Sequence, residues 1–254
     1  MKMIQLLLLF TICSQIIKGE SNPYVIQEYR SNYFILGKPD TKIQFSFKFK
    51  LLKENNFFFG YTQIMFWKLA QKDSNPFYDI NFTPEFYFQF NIEDDYLIKT
   101  LNLGYAHFSN GRDSDNSRSI DSLYIDLFQG RRFKNLLNAE FVMRIQHIFN
   151  EDKTNKDISK FYGPINFKVF LNQFAEDFFS SEELYLEYYN GGHLAEDFDK
   201  SSFRISLRSK PWKSGAAKIF FQYFNGYAEN LLNYNIKQES YRIGISLGEA
   251  LPKE

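Results

Sequence analysis

Twelve stretches of apolar/polar alternation, each roughly ten residues long, run from residue 28 to residue 247 of this chain. Side chains on a β-strand point alternately to its two faces, so a period of two marks strands with one greasy and one polar side. Ile43, Phe45, Phe47, Phe49 and Leu51 alternate with Gln44, Ser46, Lys48 and Lys50. Phe86, Phe88, Phe90 and Ile92 oppose Glu85, Gln89 and Asn91. Leu137, Ala139, Phe141, Met143 and Ile145 oppose Asn138, Glu140, Arg144 and Gln146, and Tyr241, Ile243, Ile245 and Leu247 oppose Arg242, Gly244 and Ser246. The connections alternate short and long: turns near 37–40, 53–56, 93–95, 129–132 and 210–213, and polar loops over 68–83, 108–120, 150–160 and 191–201. An even number of such segments with this alternation of connections predicts an all-β fold, a transmembrane antiparallel β-barrel of twelve strands. The polar face carries too many Lys, Arg and Glu for a packed soluble core, whereas a polar lumen accommodates them. No helical period of useful length competes, and a soluble lipocalin-like carrier fits twelve strands and a charged interior poorly.

Composition narrows the context. The 254 residues include Phe 30 and Tyr 17, in keeping with aromatic girdles at the two membrane interfaces. Lys+Arg and Asp+Glu balance at 30 each, so no overall field favours a nucleic-acid partner. The one long apolar run, Leu6 to Phe10, follows Lys2 and is too short to span a bilayer. It reads as a secretory signal peptide over 1–19, with Gly19 near the cleavage point, followed by a barrel domain over 20–254. Cys13 is the only cysteine and lies in that leader, so the exported chain carries no disulfide. The chain ends Leu251-Pro252-Lys253-Glu254 rather than on the aromatic residue with which such barrels often finish.

The chemistry gathers at one hairpin. Leu101, Leu103 and Tyr105 share the parity of His107 and Ser109, and Asp121 shares its face with Leu123, Ile125 and Leu127. Counted from a periplasmic amino terminus, the connecting loop is external, which puts His107 and Asp121 at the outer rim as cross-strand neighbours. A hydroxyl needs a base within hydrogen-bond reach, and that base needs an orienting acceptor; Ser109, His107 and Asp121 supply these in turn. Gly111 adds a backbone amide that no side chain shields. A charge near the interface costs only about 0–1 kcal/mol, so the same residues equally suit a non-catalytic polar belt on a porin-like or structural barrel. His147 illustrates the plain interfacial histidine, outward-facing with no serine two residues away, and His193 lies in a loop with no pattern.

The run His107-Phe108-Ser109-Asn110-Gly111-Arg112, with Ser117-Arg118-Ser119, Asp121 and Leu123-Tyr124, resembles the signature of the outer membrane phospholipase A family. Further similarity extends from Asn32-Tyr33-Phe34 through Tyr61-Thr62-Gln63 and Ser74-Asn75-Pro76-Phe77 to Gly226-Tyr227. The resemblance implies a phospholipase A of the bacterial outer membrane, its site facing outward, that hydrolyses phospholipid acyl esters, depends on calcium and is active as a homodimer. It implies Ser109 as nucleophile, His107 as general base and Gly111 as the oxyanion amide. Asp121 stands where the family's best-known member has an asparagine, giving a Ser-His-Asp set. For Ca2+ it implies the Arg112 carbonyl, the Ser117 hydroxyl and the partner subunit's Ser74, all hard oxygen ligands; Asp152, in the next external loop, is a candidate for a further calcium site. For Gln63, on a lipid-facing strand surface, it implies a dimer contact.

Overall fold

In the computed structural model, residues 25–52, 54–69, 76–92, 97–133, 137–172, 182–192, 198–210 and 217–248 are described. The expected signal peptide, Ser74, His193 and the carboxyl terminus lie outside them. The strands are β1 (Gln27–Glu28), β2 (Asn32–Lys38), β3 (Thr41–Lys50), β4 (Phe57–Trp67), β5 (Phe77–Asn91), β6 (Thr100–Ser109), β7 (Ser119–Phe133), β8 (Leu137–Phe149), β9 (Ile165–Asn172), β10 (Glu182–Tyr189), β11 (Ser202–Ser209), β12 (Ala217–Gly226) and β13 (Gln238–Leu247). Each of β2–β13 pairs antiparallel with its neighbours in sequence, and β2 pairs with β13, so these twelve close into a barrel. The two-residue β1 only pairs with β3.

The two faces of the wall separate as the alternation predicts. Outward residues include Leu103 (50% exposed), Leu123 (53%) and Ile243 (58%), which suits contact with lipid. The inward face mixes buried aromatics such as Tyr87, Phe220 and Phe224 with buried charges that pair with one another. Arg144 bridges Asp126 (2.7 Å) and Glu85 (3.3 Å), and Glu85 also pairs with Arg30. Arg242 joins Asp40 (2.7 Å) to Glu229 (2.6 Å), which also meets Lys42 at 3.2 Å. Burying these charges is tolerable only because each finds an opposite charge and further hydrogen bonds. The interior keeps a cavity of about 1030 Å³, lined by Arg30, Arg144, Lys168, Glu187 and Arg204 among others.

The loop-bearing end is capped from within. Ile120, Ile158, Phe161, Leu231 and Tyr234 form an apolar cluster, joined by Phe108 and Ile148. It reaches from the β6–β8 side of the ring to the β12–β13 loop, where Leu231 and Leu232 amides donate to Asn81 and Asp79 of β5.

Three boundaries depart from the periodicity. The expected first strand, 28–36, is interrupted at 29–31, because Tyr29 and Arg30 turn inward: Tyr29 stacks on Tyr87 at 5.8 Å and Arg30 pairs with Glu85. The expected loop over 68–83 is shorter, since β5 starts at Phe77; Asp79, Asn81 and Thr83 are buried polar residues rather than loop polarity. The expected turn at 129–132 is also ladder, with Gly130 opposite Glu140 and Arg131 opposite Ala139.

Candidate functional site

The β6–β7 hairpin places His107 directly opposite Asp121. His107 Nδ1 and Asp121 Oδ1 are 2.7 Å apart. An ionised carboxylate only accepts, so the imidazole donates from Nδ1–H and Nε2 is left as the basic nitrogen. The His107 side chain is 38% exposed and that of Asp121 12%. Both stand on the same outward face as Leu103, Leu123 and Ile125, all exposed, and neither lines the internal cavity. Their inward neighbours, Ala106 and Ser122, are fully buried. The hairpin therefore turns a titratable pair toward the lipid side and packs its other face against the lumen.

Ser109 is the last residue of β6, paired with Ser119 of β7 and Phe82 of β5, and is half-buried. It shares the outward parity of His107 one pleat away. Among the described residues no hydrogen bond closes between the Ser109 hydroxyl and the imidazole. Such contacts are commonly long before substrate binds and tighten in the substrate complex. The opposite side of β6 is loosened: β5 pairs with it at Phe82–Ser109 and again from Glu85–Ala106, skipping Thr83 and Pro84. Proline has no N–H to give, so the ladder opens alongside His107.

Past Ser109 the chain turns at Asn110 and Gly111. Asn110 is buried, and its side chain staples the loop: Nδ2 donates to the Asn116 carbonyl at 2.9 Å and Oδ1 accepts from the Arg118 amide at 3.0 Å. Gly111 has φ +60, a left-handed conformation that L side chains adopt at a cost, and a Cβ there would lie 3.0 Å from the Phe82 ring. No hydrogen bond occupies the Gly111 amide among the described residues, so it is open to an oxygen ligand.

The expected metal-ligating residues are partly gathered. Ser117 donates to Asp152 Oδ2 at 2.8 Å, and Asp152 Oδ1 accepts from the Thr154 amide at 3.1 Å and hydroxyl at 3.2 Å. Donation from the Ser117 hydroxyl, with the Thr154 amide next, holds the Asp152 carboxyl below the usual carboxylate range. Arg112 starts the same loop, its guanidinium directed to Asp79 (3.8 Å) and the Tyr78 carbonyl. Among the described residues no three His, Cys, Asp or Glu side chains cluster as a metal cage. The donor set at Ser117 and Asp152 is oxygen only and carries one charge. That chemistry fits a hard cation completed by carbonyls and outside oxygens rather than a closed protein cage.

Two contacts of Asp121 were not assigned from the sequence. Tyr105 donates its hydroxyl to Asp121 Oδ1 at 2.7 Å, and Asn150 donates Nδ2 to Asp121 Oδ2 at 2.8 Å. The parity of Tyr105 with His107 is a signal that could have found the first; nothing in the local pattern marks the second. His147 behaves as a plain interfacial ring, stacked on Phe149 at 6.1 Å. Gln63 faces outward beside Tyr61, whose hydroxyl donates to its Oε1 at 2.9 Å.

The comparisons with known proteins agree on one family. A family model described as Phospholipase A1 matches residues 7–247. The chain is 24% identical to a phospholipase A1 of Klebsiella pneumoniae, over 94% of this chain and 88% of that one. It is 23% identical to that of Escherichia coli K12, over 94% and 87%. Among solved structures it is similar to the outer membrane phospholipase A of Escherichia coli, with TM-score 0.76, 20% identity and coverage of 94% of this chain and 97% of that one. It is likewise similar to a Salmonella typhi outer membrane phospholipase, solved as a dimer with bound calcium, with TM-score 0.75, 22% identity and coverage of 92% and 96%.

Proposed function

Because the chain belongs to the phospholipase A1 family, we propose that it is an outer-membrane enzyme that cleaves phospholipid acyl esters from the lipid-facing wall of its barrel, with Ser109, His107 and Asp121 as the reacting set. Residues 1–19 would be removed on export to leave the barrel domain over 20–254. The observation that carries the reading is the 2.7 Å His107–Asp121 contact on an outward, apolar face, with a hydroxyl two residues on. Substrate would reach such a site from the bilayer itself.

The Ser109 hydroxyl attacks the ester carbonyl while His107 Nε2 takes its proton. Asp121 holds the imidazole in the Nδ1–H tautomer and stabilises the imidazolium that forms. The Gly111 amide donates to the developing oxyanion. Collapse of the tetrahedral intermediate breaks the ester bond, and His107 returns the proton to the departing lysophospholipid oxygen. Water, deprotonated by the same imidazole, then releases the fatty acid from Ser109.

Calcium fits the oxygen donors: the Arg112 carbonyl, Ser117 and Asp152 would hold it, with the partner subunit's Ser74, so that the active form is a homodimer. When bound it would supply positive charge beside the oxyanion. The oxygen donors at Ser117 and Asp152 leave room for a ligand from a second copy.

A pore is the rival reading, and the internal cavity gives it some footing. Against it, the apolar cluster built on Ile120, Phe161 and Leu231 bridges the loop end of the lumen. Fatty-acid release from phospholipid in mixed micelles, measured on the purified barrel with and without calcium, tests the proposal. Release that stops on chelation is expected. Calcium-independent release would remove the metal, and ion conductance without release would favour the pore.

A further inference from the structure

Asp121 is a carboxylate with three donors on it. Oδ1 accepts from Tyr105 (2.7 Å) and His107 (2.7 Å), and Oδ2 accepts from Asn150 (2.8 Å). A carboxylate offers about four lone-pair sites, so three donors on two oxygens fix both its position and its rotation. Two of the donors stand on β6 and the third comes from the end of β8. Tyr105 lies one pleat below His107 on β6, diagonal to Asp121 across the ladder. Asn150 follows Phe149, the residue paired with Asp121 on β8. Its backbone is left-handed, φ +53, a conformation in which asparagine is enriched. That turn at the end of β8 sends the carboxamide back over β7 rather than onward along the strand.

We infer that Tyr105 and Asn150 are positioning residues that act through Asp121, locking the carboxylate so that His107 is presented to Ser109 in a single orientation. The inference rests on the proposed function, since it concerns the same site. The 121–150 contact has a polarity of its own, with Asp121 accepting and Asn150 donating. Asp121→Asn would turn a new N–H toward Asn150, whose carboxamide can flip to accept it, and Asn150→Asp in the same chain would accept it directly. The pattern therefore requires one donor and one acceptor across this contact, in either order.

Purified variants at saturating calcium, assayed on mixed micelles, test this. Tyr105→Phe keeps the ring and removes one donor; Asn150→Gly keeps the left-handed turn and removes the other. Each should lower kcat by about tenfold with KM little changed, in line with one lost hydrogen bond to a charged group, while the barrel keeps its heat-modifiable mobility. Asn150→Asp alone sets two acceptors against each other and should lower kcat further, about a hundredfold. Adding Asp121→Asn to Asn150→Asp should recover kcat to within about threefold of Asp121→Asn alone. Full kcat in both single variants, or no recovery in the exchange, would overturn the positioning role. Ser109→Ala run in parallel separates the failures: if it too stays active, the proposed function itself falls.

Discussion

Two polar clusters flank the barrel wall at the hairpin β6–β7, one on each side, and they are built on opposite terms. On the inner side Arg144 is closed by Asp126 and Glu85, with Tyr124 beneath its guanidinium at 3.8 Å. Each charge there is matched by another charge of the same wall. On the outer side His107 donates to a carboxylate that is itself fully engaged. Yet Nε2, the Ser109 hydroxyl and the Gly111 amide find no partner among the described residues. Charge that is completely matched holds a wall together; charge matched on one side only is available for chemistry. The difference separates scaffold from site even though Asp121 and Asp126 lie on opposite faces of one strand, β7.

The comparison breaks most visibly at Ser109. Ser109→Ala should lower kcat by at least about a thousandfold, as loss of a nucleophile does, with no change in heat-modifiable mobility on gels. Near-normal fatty-acid release from that variant would make the outer cluster a bland belt. The inner cluster should answer the other way. Arg144→Met leaves Glu85 and Asp126 buried with less compensation and should cost about 3–5 kcal/mol of unfolding free energy, read by urea titration in micelles. The kcat of the remaining folded protein should be unchanged. At Gly111, replacement by Ala forces a left-handed backbone on a side chain that meets Phe82 and should cost about 1 kcal/mol of strain. A several-fold loss of kcat with stability nearly intact is expected, measured against wild type on the same micelles.

How much of this was legible in the sequence follows from what alternation can and cannot encode. Parity alone put His107, Ser109 and Asp121 on one face and set Gln44, Ser46 and Arg144 on the other, because a strand has only two faces. It failed where polarity had two meanings. Asp79, Asn81 and Thr83 read as loop although they are lumen residues of β5, since a water-filled or ion-paired interior and solvent select the same side chains. It failed again at Tyr29 and Arg30, which leave the first strand to pair across the lumen with Tyr87 and Glu85; partners 55 and more residues away write no local signal. Asn150 was invisible for the same reason, being brought to Asp121 by the β7–β8 register and one left-handed residue.

The smallest effect is expected at the cap. Burial, with the Asp157 carboxylate accepting from it, pushes the Tyr234 phenol up to about 12. The neutral phenol is the form the fold favours, so its contribution is complete below the ordinary phenol value near 10 and is lost as pH rises through about 12. Tyrosinate absorbance of wild type minus Tyr234→Phe should show one phenol ionising well above its ordinary value. One that ionises at that ordinary value would mean that the cap does not hold it.

The central claim is that the outer face of this wall holds an activated serine. A fluorophosphonate carrying a long alkyl chain, incubated with the purified protein in calcium and mapped by peptide mass, tests it most directly. The account predicts a single adduct on Ser109 that disappears in His107→Ala. Labelling at another serine, or undiminished labelling of Ser109 without the imidazole, would contradict it.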